Sequence, residues 1–402
     1  MICRRACFKV VDDLDLTPLI SYLSQVAEKS GCDAKLTLNV SRKTLVCEVC
    51  CLRSKKLIDV IKARFAAVKG LKASKCFGSK GLTAPSGWWP LSGSVCLGVE
   101  AFTGSPFCLD ERNLRRHAVI VGSTGSGKST TAKKIFKELA HNKLVLDWHG
   151  EYRGVAKRIE CISLNRLRSL GQLELMDALA NSLKLTDAQY YLLMKVVQML
   201  YAKGGEFGIR DIIFYLKSLE ELSRWIRESK YSLLRKLEML TVRGTCKFEI
   251  TDLESLTEGG LVIDLSGYVT EYAKKFVSHA VLAYLFAKAR GGELKRTYVI
   301  VEEAHNVIPK SSELSVADKI FMEGRKYGLH VIAVTQSPRA MSENVMKNSY
   351  VKIIHGIREV DDAKYVAESV GDPSLWKEII SLDVGEAIVA QRKLARVIIS
   401  NS

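Results

Sequence analysis

No apolar stretch in these 402 residues approaches the ~20 needed to cross a bilayer as a helix. A signal-peptide core is missing too, because charges at Arg4, Arg5, Lys9, Asp12, Asp13 and Asp15 interrupt the first residues. There is no low-complexity tract. These absences set the expectation of a soluble, cytoplasmic protein, with docking on a membrane-bound partner left open. No contiguous basic run stands out, although 60 Lys and Arg against 44 Asp and Glu give a net charge of +16. Such an excess suits a polyanion such as nucleic acid, or is spread as generic surface charge. The cysteines lack a zinc pattern. Nine of the eleven lie in the first 108 residues, but Cys47-Glu-Val-Cys50-Cys51 falls in a strand-like run where residues three apart face opposite sides. Together with Cys3 and Cys7 these read as buried free thiols of a reducing compartment, and a disulfide is expected only in a hyperthermophile's protein.

What is present suggests two or three domains. Residues 1–82 read as a small α+β unit of order βαββαβ. Strands are expected at Ala6–Val11, Asp33–Val40, Thr44–Leu52 and Lys72–Phe77, and helices at Thr17–Ser30 and Ser54–Val68. Gly78–Gly93 reads as a linker, with Trp88-Trp89-Pro90 filling a local apolar cluster. From residue 83 to 402 buried strands and helices alternate, which predicts a parallel sheet covered on both faces. Strands are expected at Lys143–Asp147, Gly260–Leu265, Tyr298–Val301, Val331–Val334, Tyr350–His355, Glu386–Ala390 and Ala395–Ser400. Between about 164 and 242 the pattern turns almost wholly helical, with a capping box at Thr186-Asp-Ala-Gln189, and reads as an inserted helical subdomain.

The most specific element is Gly122-Ser123-Thr124-Gly125-Ser126-Gly127-Lys128-Ser129, followed by Thr130. It matches G-x-x-x-x-G-K-[ST], the phosphate-binding loop of nucleotide hydrolases. An apolar strand at His117–Val121 precedes it and an amphipathic helix at Thr130–Ala140 follows, so the loop sits at a helix N-terminus. Unpaired backbone N–H groups and the helix dipole there favour phosphate. Lys128 is expected at the β- and γ-phosphates of ATP, and the Ser129 hydroxyl on Mg²⁺.

Tyr298-Val-Ile-Val301 then ends in Glu302-Glu303, placing two carboxylates at the same ligand-binding edge of the sheet. Glu302 is expected to hold Mg²⁺ through water, and Glu303 to orient or deprotonate the attacking water. Gln336, after Val331–Val334, is a candidate γ-phosphate sensor. Arg325, in Glu323-Gly-Arg325-Lys326-Tyr-Gly328, is either a trans-acting arginine finger or solvated charge at a helix end.

In this order GSTGSGKS, DWHGEY, GGLVIDLSG, VIVEEAHNVIP and EGRKYGLHVIAVTQSP resemble the HerA family of DNA-translocating ATPases, part of a clade with the FtsK pumps and the type IV secretion ATPases. The resemblance covers about residues 95–400. It implies a RecA-like P-loop core, ATP and Mg²⁺, and a hexameric ring that moves DNA. By motif position Glu302 and Glu303 resemble the Walker B pair, with Glu302 where Asp is more usual. Asp147, His149 and Glu151 resemble the family's strand-end motif near the nucleotide. The family's β-barrel front end is replaced by βαββαβ, which puts a nuclease partner in doubt. A conjugation- or secretion-type ATPase serving a membrane-associated machine is the alternative, and a nucleotide-dependent switch is a third reading. DNA contacts are expected from Lys310, Arg339 and Lys347 on the loops after the Glu302-Glu303 and Gln336 strands.

Overall fold

The computed structural model describes residues 2–10, 33–39, 44–51 and 71–74, then 94–101, 106–221, 223–241, 246–256, 259–311 and 314–400. The chain divides into two compact units, Met1–Ser92 with Val99–Pro106, and Gly93–Gly98 with Phe107–Ser402.

In the first unit β1 (Ile2–Val10), β2 (Asp33–Asn39), β3 (Thr44–Cys51) and β4 (Leu71–Ser74) form a sheet of order β2-β3-β1-β4. Its pairings are antiparallel. The helices expected at Thr17–Ser30 and Ser54–Val68, the Trp88-Trp89-Pro90 cluster, and the side chains of Cys3, Cys7, Cys47, Cys50 and Cys51 fall outside the described residues.

The second unit is built on an 11-stranded sheet of order β6-β5-β15-β14-β13-β7-β12-β11-β8-β10-β9. These strands are β5 (Ser94–Glu100), β6 (Pro106–Asp110), β7 (Ala118–Val121), β8 (Asn142–Asp147), β9 (Lys157–Ile159) and β10 (Leu261–Asp264). They continue with β11 (Thr297–Val301), β12 (Leu329–Thr335), β13 (Val351–His355), β14 (Glu386–Ala390) and β15 (Leu394–Ile399). From β13 to β9 neighbouring strands run parallel, whereas β13, β14 and β15 pair antiparallel, so the expected parallel sheet carries an antiparallel flank. Strand β9 has no counterpart among the expected strands; three residues with one apolar side chain carry no readable period.

The central strands are apolar along their whole length because both faces are covered. The period of two assigns alternate residues to opposite cores. Val119, Val121, Leu144, Leu146, Val299 and Val301 join one core with the helices Gln172–Leu183 and Glu271–Arg290. Ala118, Ile120, Val145, Ile300, Ile332 and Val334 join the other with the helix Lys128–Glu138. In the helical segment Thr186 accepts from the Gln189 N–H at 3.4 Å and Gln189 Oε1 accepts from the Thr186 N–H at 3.2 Å, closing the expected capping box. The segment's two ends are tied by a Cys161–Cys246 disulfide and by the Ser163 N–H donating to the Phe248 carbonyl at 2.7 Å. A second disulfide joins Cys96 to Cys108. The expectation of free thiols therefore fails at these four positions, because pairing depends on which segments the fold brings together rather than on spacing. Among the described residues no helix is long and apolar enough to cross a membrane.

Candidate functional site

Strand β7 ends at Val121 and the helix Lys128–Glu138 begins seven residues later, so the phosphate loop bridges them as its motif requires. Gly125 and Gly127 have φ of 78° and 107°, a region glycine enters without penalty. At Gly122 a Cβ would meet Ser126 Oγ at 2.6 Å and the His355 Cβ at 2.7 Å, so the loop closes tightly on β13. Nothing lies within 4 Å of a Cβ placed at Gly125, where the loop faces open space. The Ser123 N–H donates to the Gly356 carbonyl at 2.9 Å, and Ser123 Oγ accepts from the Arg358 N–H at 2.9 Å. Lys128 Nζ donates to the Ser123 carbonyl at 2.9 Å, folded into its own loop. Burial lowers its pKa, opposed by the charges of Glu303, Glu302 and Glu151. Ser129 lies half-buried in the first turn, where the helix N–H groups have no partner within the helix, and Thr130 beside it is exposed.

Strand β12 brings Gln336 to this loop: Thr124 Oγ1 donates to Gln336 Oε1 at 2.5 Å. On the far side of β12, β11 delivers Glu302 and Glu303. Glu302 is buried at 8% exposure and accepts from the Tyr152 hydroxyl at 2.5 Å. Burial pushes its carboxyl up to about 7; the Tyr152 hydrogen bond acts against this, while Glu151, Asp147 and Glu303 add to it. Glu303 takes the left-handed conformation, φ 49° and ψ 45°, and starts the short helix Ala304–Val307. A non-glycine residue held there is strained by about 1–3 kcal/mol, a cost borne mostly at functional sites. Its Oε1 lies 3.4 Å from His149 Nε2 and its Oε2 3.3 Å from His305 Nδ1, but Oε2 is buried without a hydrogen-bond partner.

The strand-end motif divides into different roles. Asp147 Oδ1 accepts from the N–H groups of Gly150 and Glu151, and Oδ2 from that of Tyr152, each at 2.9 Å. Asp147 therefore folds its own loop, whereas His149 turns toward Glu303 and Glu151 lies 3.8 Å from Lys133. Lys310 and Lys347 both pair with Glu343, at 3.1 and 2.9 Å, and Arg339 pairs with Asp361 at 3.2 Å. Each expected DNA contact is thus engaged with an acid, though such exposed pairs hold weakly. The loops that carry them are joined, since the Lys310 N–H donates to the Ala340 carbonyl at 2.8 Å and the Ser342 N–H to the Ile308 carbonyl at 2.9 Å.

Arg325 lies elsewhere. It sits in the turn Gly324–Tyr327, just before β12, while the phosphate loop follows the parallel neighbour β7. The seven residues of β12 alone span about 23 Å, so Arg325 cannot reach its own loop. It is exposed and has no ion-pair partner among the described residues.

Two residues were not legible from the sequence. Tyr152 is fully buried within the loop that Asp147 folds. His355, at 0% exposure, lies under the phosphate loop with Nδ1 3.0 Å from the Glu386 carbonyl and Nε2 3.0 Å from Thr131 Oγ1. A carbonyl only accepts, so Nδ1 carries the proton and Nε2 accepts from the threonine. Burial lowers its pKa to about 4, keeping the ring neutral.

The central strand order β13-β7-β12-β11-β8, with the phosphate loop after β7 and paired carboxylates after β11, defines a RecA-like P-loop ATPase fold. VirB4 of Thermoanaerobacter pseudethanolicus shares it, with a TM-score of 0.58 at 15% identity over 78% of this chain and 98% of that one. The plasmid coupling protein TrwB in complex with ADP and Mg²⁺ does too, at 0.58 and 16% identity over 76% and 90%. Within that class the sequence likeness is to HerA: residues 95–283 match the family model described as "Helicase HerA, central domain". The DNA double-strand break repair helicase HerA of Saccharolobus solfataricus is 29% identical over 317 residues, 70% of this chain and 63% of that protein. The protein of the same name from Sulfurisphaera tokodaii is 28% identical over 313 residues, 69% and 62%. The chain thus spans under two thirds of these relatives' length.

Proposed function

We propose that this chain is an ATP-driven, DNA-translocating motor of HerA type that works as a hexameric ring, with one composite site per pair of neighbouring subunits. The observation that carries this reading is the division of the site. Lys128, Gln336, Glu302 and Glu303 gather at one edge of the sheet, and the candidate finger Arg325 projects from the other. Such a division suits a ring, in which one subunit's Arg325 completes the next subunit's site.

The residues fit ATP and Mg²⁺: an open glycine loop at a helix N-terminus, a lysine resting on a replaceable carbonyl, and the Ser129 hydroxyl with the Glu302 carboxylate as oxygen donors. Bound Mg²⁺ would neutralise charge on the phosphates. Loop N–H groups and Lys128 bind those phosphates. Glu303 accepts the proton of the attacking water as its oxygen bonds to the γ-phosphorus and the bond to ADP breaks. Gln336, linked to Thr124, reports whether the γ-phosphate is present. Asp147 shapes the adjoining loop, and His149 and Glu151 line it. The units 1–82 and 83–402, the latter carrying the helical insertion at 164–242, would act as a separate module and the motor. The reading places the motor in the cytoplasm, with a nuclease or a membrane complex as its partner.

The deciding experiment is an ATPase assay with single-stranded, double-stranded and no DNA, alongside the mass of the assembly with ATP. DNA-stimulated turnover by a ring, weakening steeply with salt, is expected. Turnover indifferent to every DNA form, in a membrane-associated complex, would instead favour the secretion-type ATPase, which has the fold of VirB4 and TrwB behind it. ATP binding without turnover would favour the switch.

A further inference from the structure

Strands β8 and β11 are parallel neighbours, with Leu146 opposite Val301, so Asp147 and Glu302 emerge side by side at the same edge. The Glu302 N–H donates to the Leu146 carbonyl at 3.2 Å, which holds the two strand ends together. Two adjacent buried carboxylates repel, and each needs donors of its own. Asp147 finds three backbone N–H groups in its own loop. The last of these belongs to Tyr152, so the bonds that satisfy Asp147 also place the tyrosine. The Tyr152 ring is fully buried and meets Phe136, from the helix after the phosphate loop, edge-on with centroids 6.3 Å apart. Lys133 Nζ of the same helix lies 5.5 Å from its centroid. The phenol therefore has one place to go, and it donates to Glu302 Oε1 at 2.5 Å.

We propose that Tyr152 is a positioning residue for Glu302: its hydroxyl holds one carboxylate oxygen and thereby fixes the orientation in which the other is offered to Mg²⁺. This rests on the ATPase reading above. It also explains why the chain manages with glutamate where aspartate is more usual. The extra methylene gives Glu302 an additional torsion, and the Tyr152 hydrogen bond removes the freedom it adds. Asp147 acts one step further back, on Tyr152, and Phe136 and Lys133 tie the tyrosine to the helix that carries Ser129.

The test is a Mg²⁺ titration of nucleotide binding, followed by calorimetry with ADP and with a non-hydrolysable ATP analogue. It compares the wild type with Tyr152→Phe, Glu302→Asp, the double variant, and Lys128→Ala. Tyr152→Phe keeps the buried ring and is expected to leave Mg²⁺-free nucleotide affinity within about twofold. It should raise the Mg²⁺ concentration for half-saturation about tenfold, the effect of losing one hydrogen bond to a charged group. Turnover at saturating Mg²⁺ should then recover, giving a shift in the Mg²⁺ requirement without a matching loss of kcat. Glu302→Asp should weaken Mg²⁺ as well, and adding Tyr152→Phe to it should cost nothing more, because the shorter side chain no longer reaches the phenol. That non-additivity does not depend on either variant's stability. A Tyr152→Phe titration that overlays the wild type, or two fully additive losses, overturns the proposal. Nucleotide binding absent from the wild type, or untouched by Lys128→Ala, would sink the ATPase reading itself.

Discussion

At the carboxyl edge of the parallel strands, Lys128 and Gln336 end on atoms that a ligand can replace, a loop carbonyl and a threonine hydroxyl, while Glu303 Oε2 lies beside His305 Nδ1 without a hydrogen bond. At the amino edge a cluster of polar groups ends on one another, although His117 Nε2 and His330 Nδ1 are buried there without a hydrogen-bond partner. Glu111 Oε1 accepts from the Tyr298 hydroxyl at 2.8 Å, lies 3.1 Å from His141 Nε2 and 3.8 Å from Arg115, and Arg296 Nη1 is 3.0 Å from the same histidine nitrogen. Both edges are polar, but one is held together by partners it can exchange and the other by partners it keeps. The difference teaches where to look for chemistry: a polar group that a ligand can reach and whose protein partner is weak, strained or missing is the one available to substrate, unlike His117 and His330, which are sealed in the core. Arg325, at the amino edge, is exposed and has no ion-pair partner among the described residues, which suits the role proposed for it in another subunit's site.

The sharpest way to break this contrast is Arg325→Ala. If Arg325 completes a neighbour's site, turnover should fall by about 10³-fold or more, with ATP affinity nearly unchanged. Mixing that variant with Glu303→Gln, itself inactive, should restore part of the activity, because some interfaces then pair an intact Glu303 with an intact Arg325. No recovery on mixing would make Arg325 an ordinary surface charge. Glu303→Gln alone should lower turnover by roughly 10²–10⁴-fold while bound ATP accumulates, as expected for loss of a general base. Unchanged single-turnover hydrolysis would remove Glu303 from that role.

How much of this was legible follows from where each partner lies in the chain. The phosphate loop, the Thr186 capping box and the Glu302-Glu303 pair could be read because their meaning is local: the groups that cooperate are within a few residues, or follow an apolar strand directly. Asp147 stands at the expected strand end, but the use of its carboxylate, curled onto N–H groups three to five residues ahead, is set by the loop's fold rather than by spacing. Tyr152 and His355 were missed because their partners, Glu302, Thr131 and Glu386, lie 150, 224 and 31 residues away. The Cys161–Cys246 disulfide and the antiparallel pairing of β13 with β14 likewise join segments far apart in the chain, which no local pattern encodes.

Acid should test both edges at once. Burial lowers His117 and His355 to about 4 and His330 to about 3, and His279, in the helix Glu271–Arg290, also to about 4. A histidine depressed in the folded state stabilises above its unfolded value of about 6.5, and that contribution is lost as pH falls through the folded value. Each could forfeit on the order of 3 kcal/mol across this window. Glu302 has the opposite sign: raised to about 7, it stabilises fully below the ordinary glutamate value and loses that contribution as pH rises through about 7. Four histidines outweigh one glutamate across the shared window, so the nucleotide-free protein should gain stability steeply from pH 4 to about 6.5 and level off towards pH 8, with Glu302 only reducing the rise. Denaturant unfolding from pH 4 to 8 measures the rise, and a flat profile between pH 4 and 6.5 contradicts the buried neutral histidines.

A smaller effect isolates the amino edge. Tyr298→Phe removes the hydroxyl that donates to Glu111 while keeping the buried ring. The cost should be about 1–3 kcal/mol, since the acceptor is a buried carboxylate that keeps only its pairings with His141 and Arg115. The melting temperature should fall by a few degrees. ATP affinity and turnover at 25 °C should not move, because among the described residues Tyr298 and Glu111 bond only to each other, His141 and Arg115 and lie at the edge away from the phosphate loop. A loss of turnover larger than the loss of folded protein would mean that the two edges are coupled.

The smallest effect concerns the joined loops between the edges and the expected DNA path. Lys310 and Lys347 share Glu343, and all three side chains are more than 40% exposed, so neither pair should contribute more than about 0.5 kcal/mol to stability. Their value on DNA is different in kind. A lysine that exchanges its acid for a phosphate releases a counterion, so each substitution to alanine should reduce the slope of log affinity against log salt by about one. Glu343→Gln should do the reverse, freeing both lysines and tightening DNA at low salt. If all three substitutions leave the salt slope untouched, these loops do not face DNA and the contacts must come from another surface of the motor.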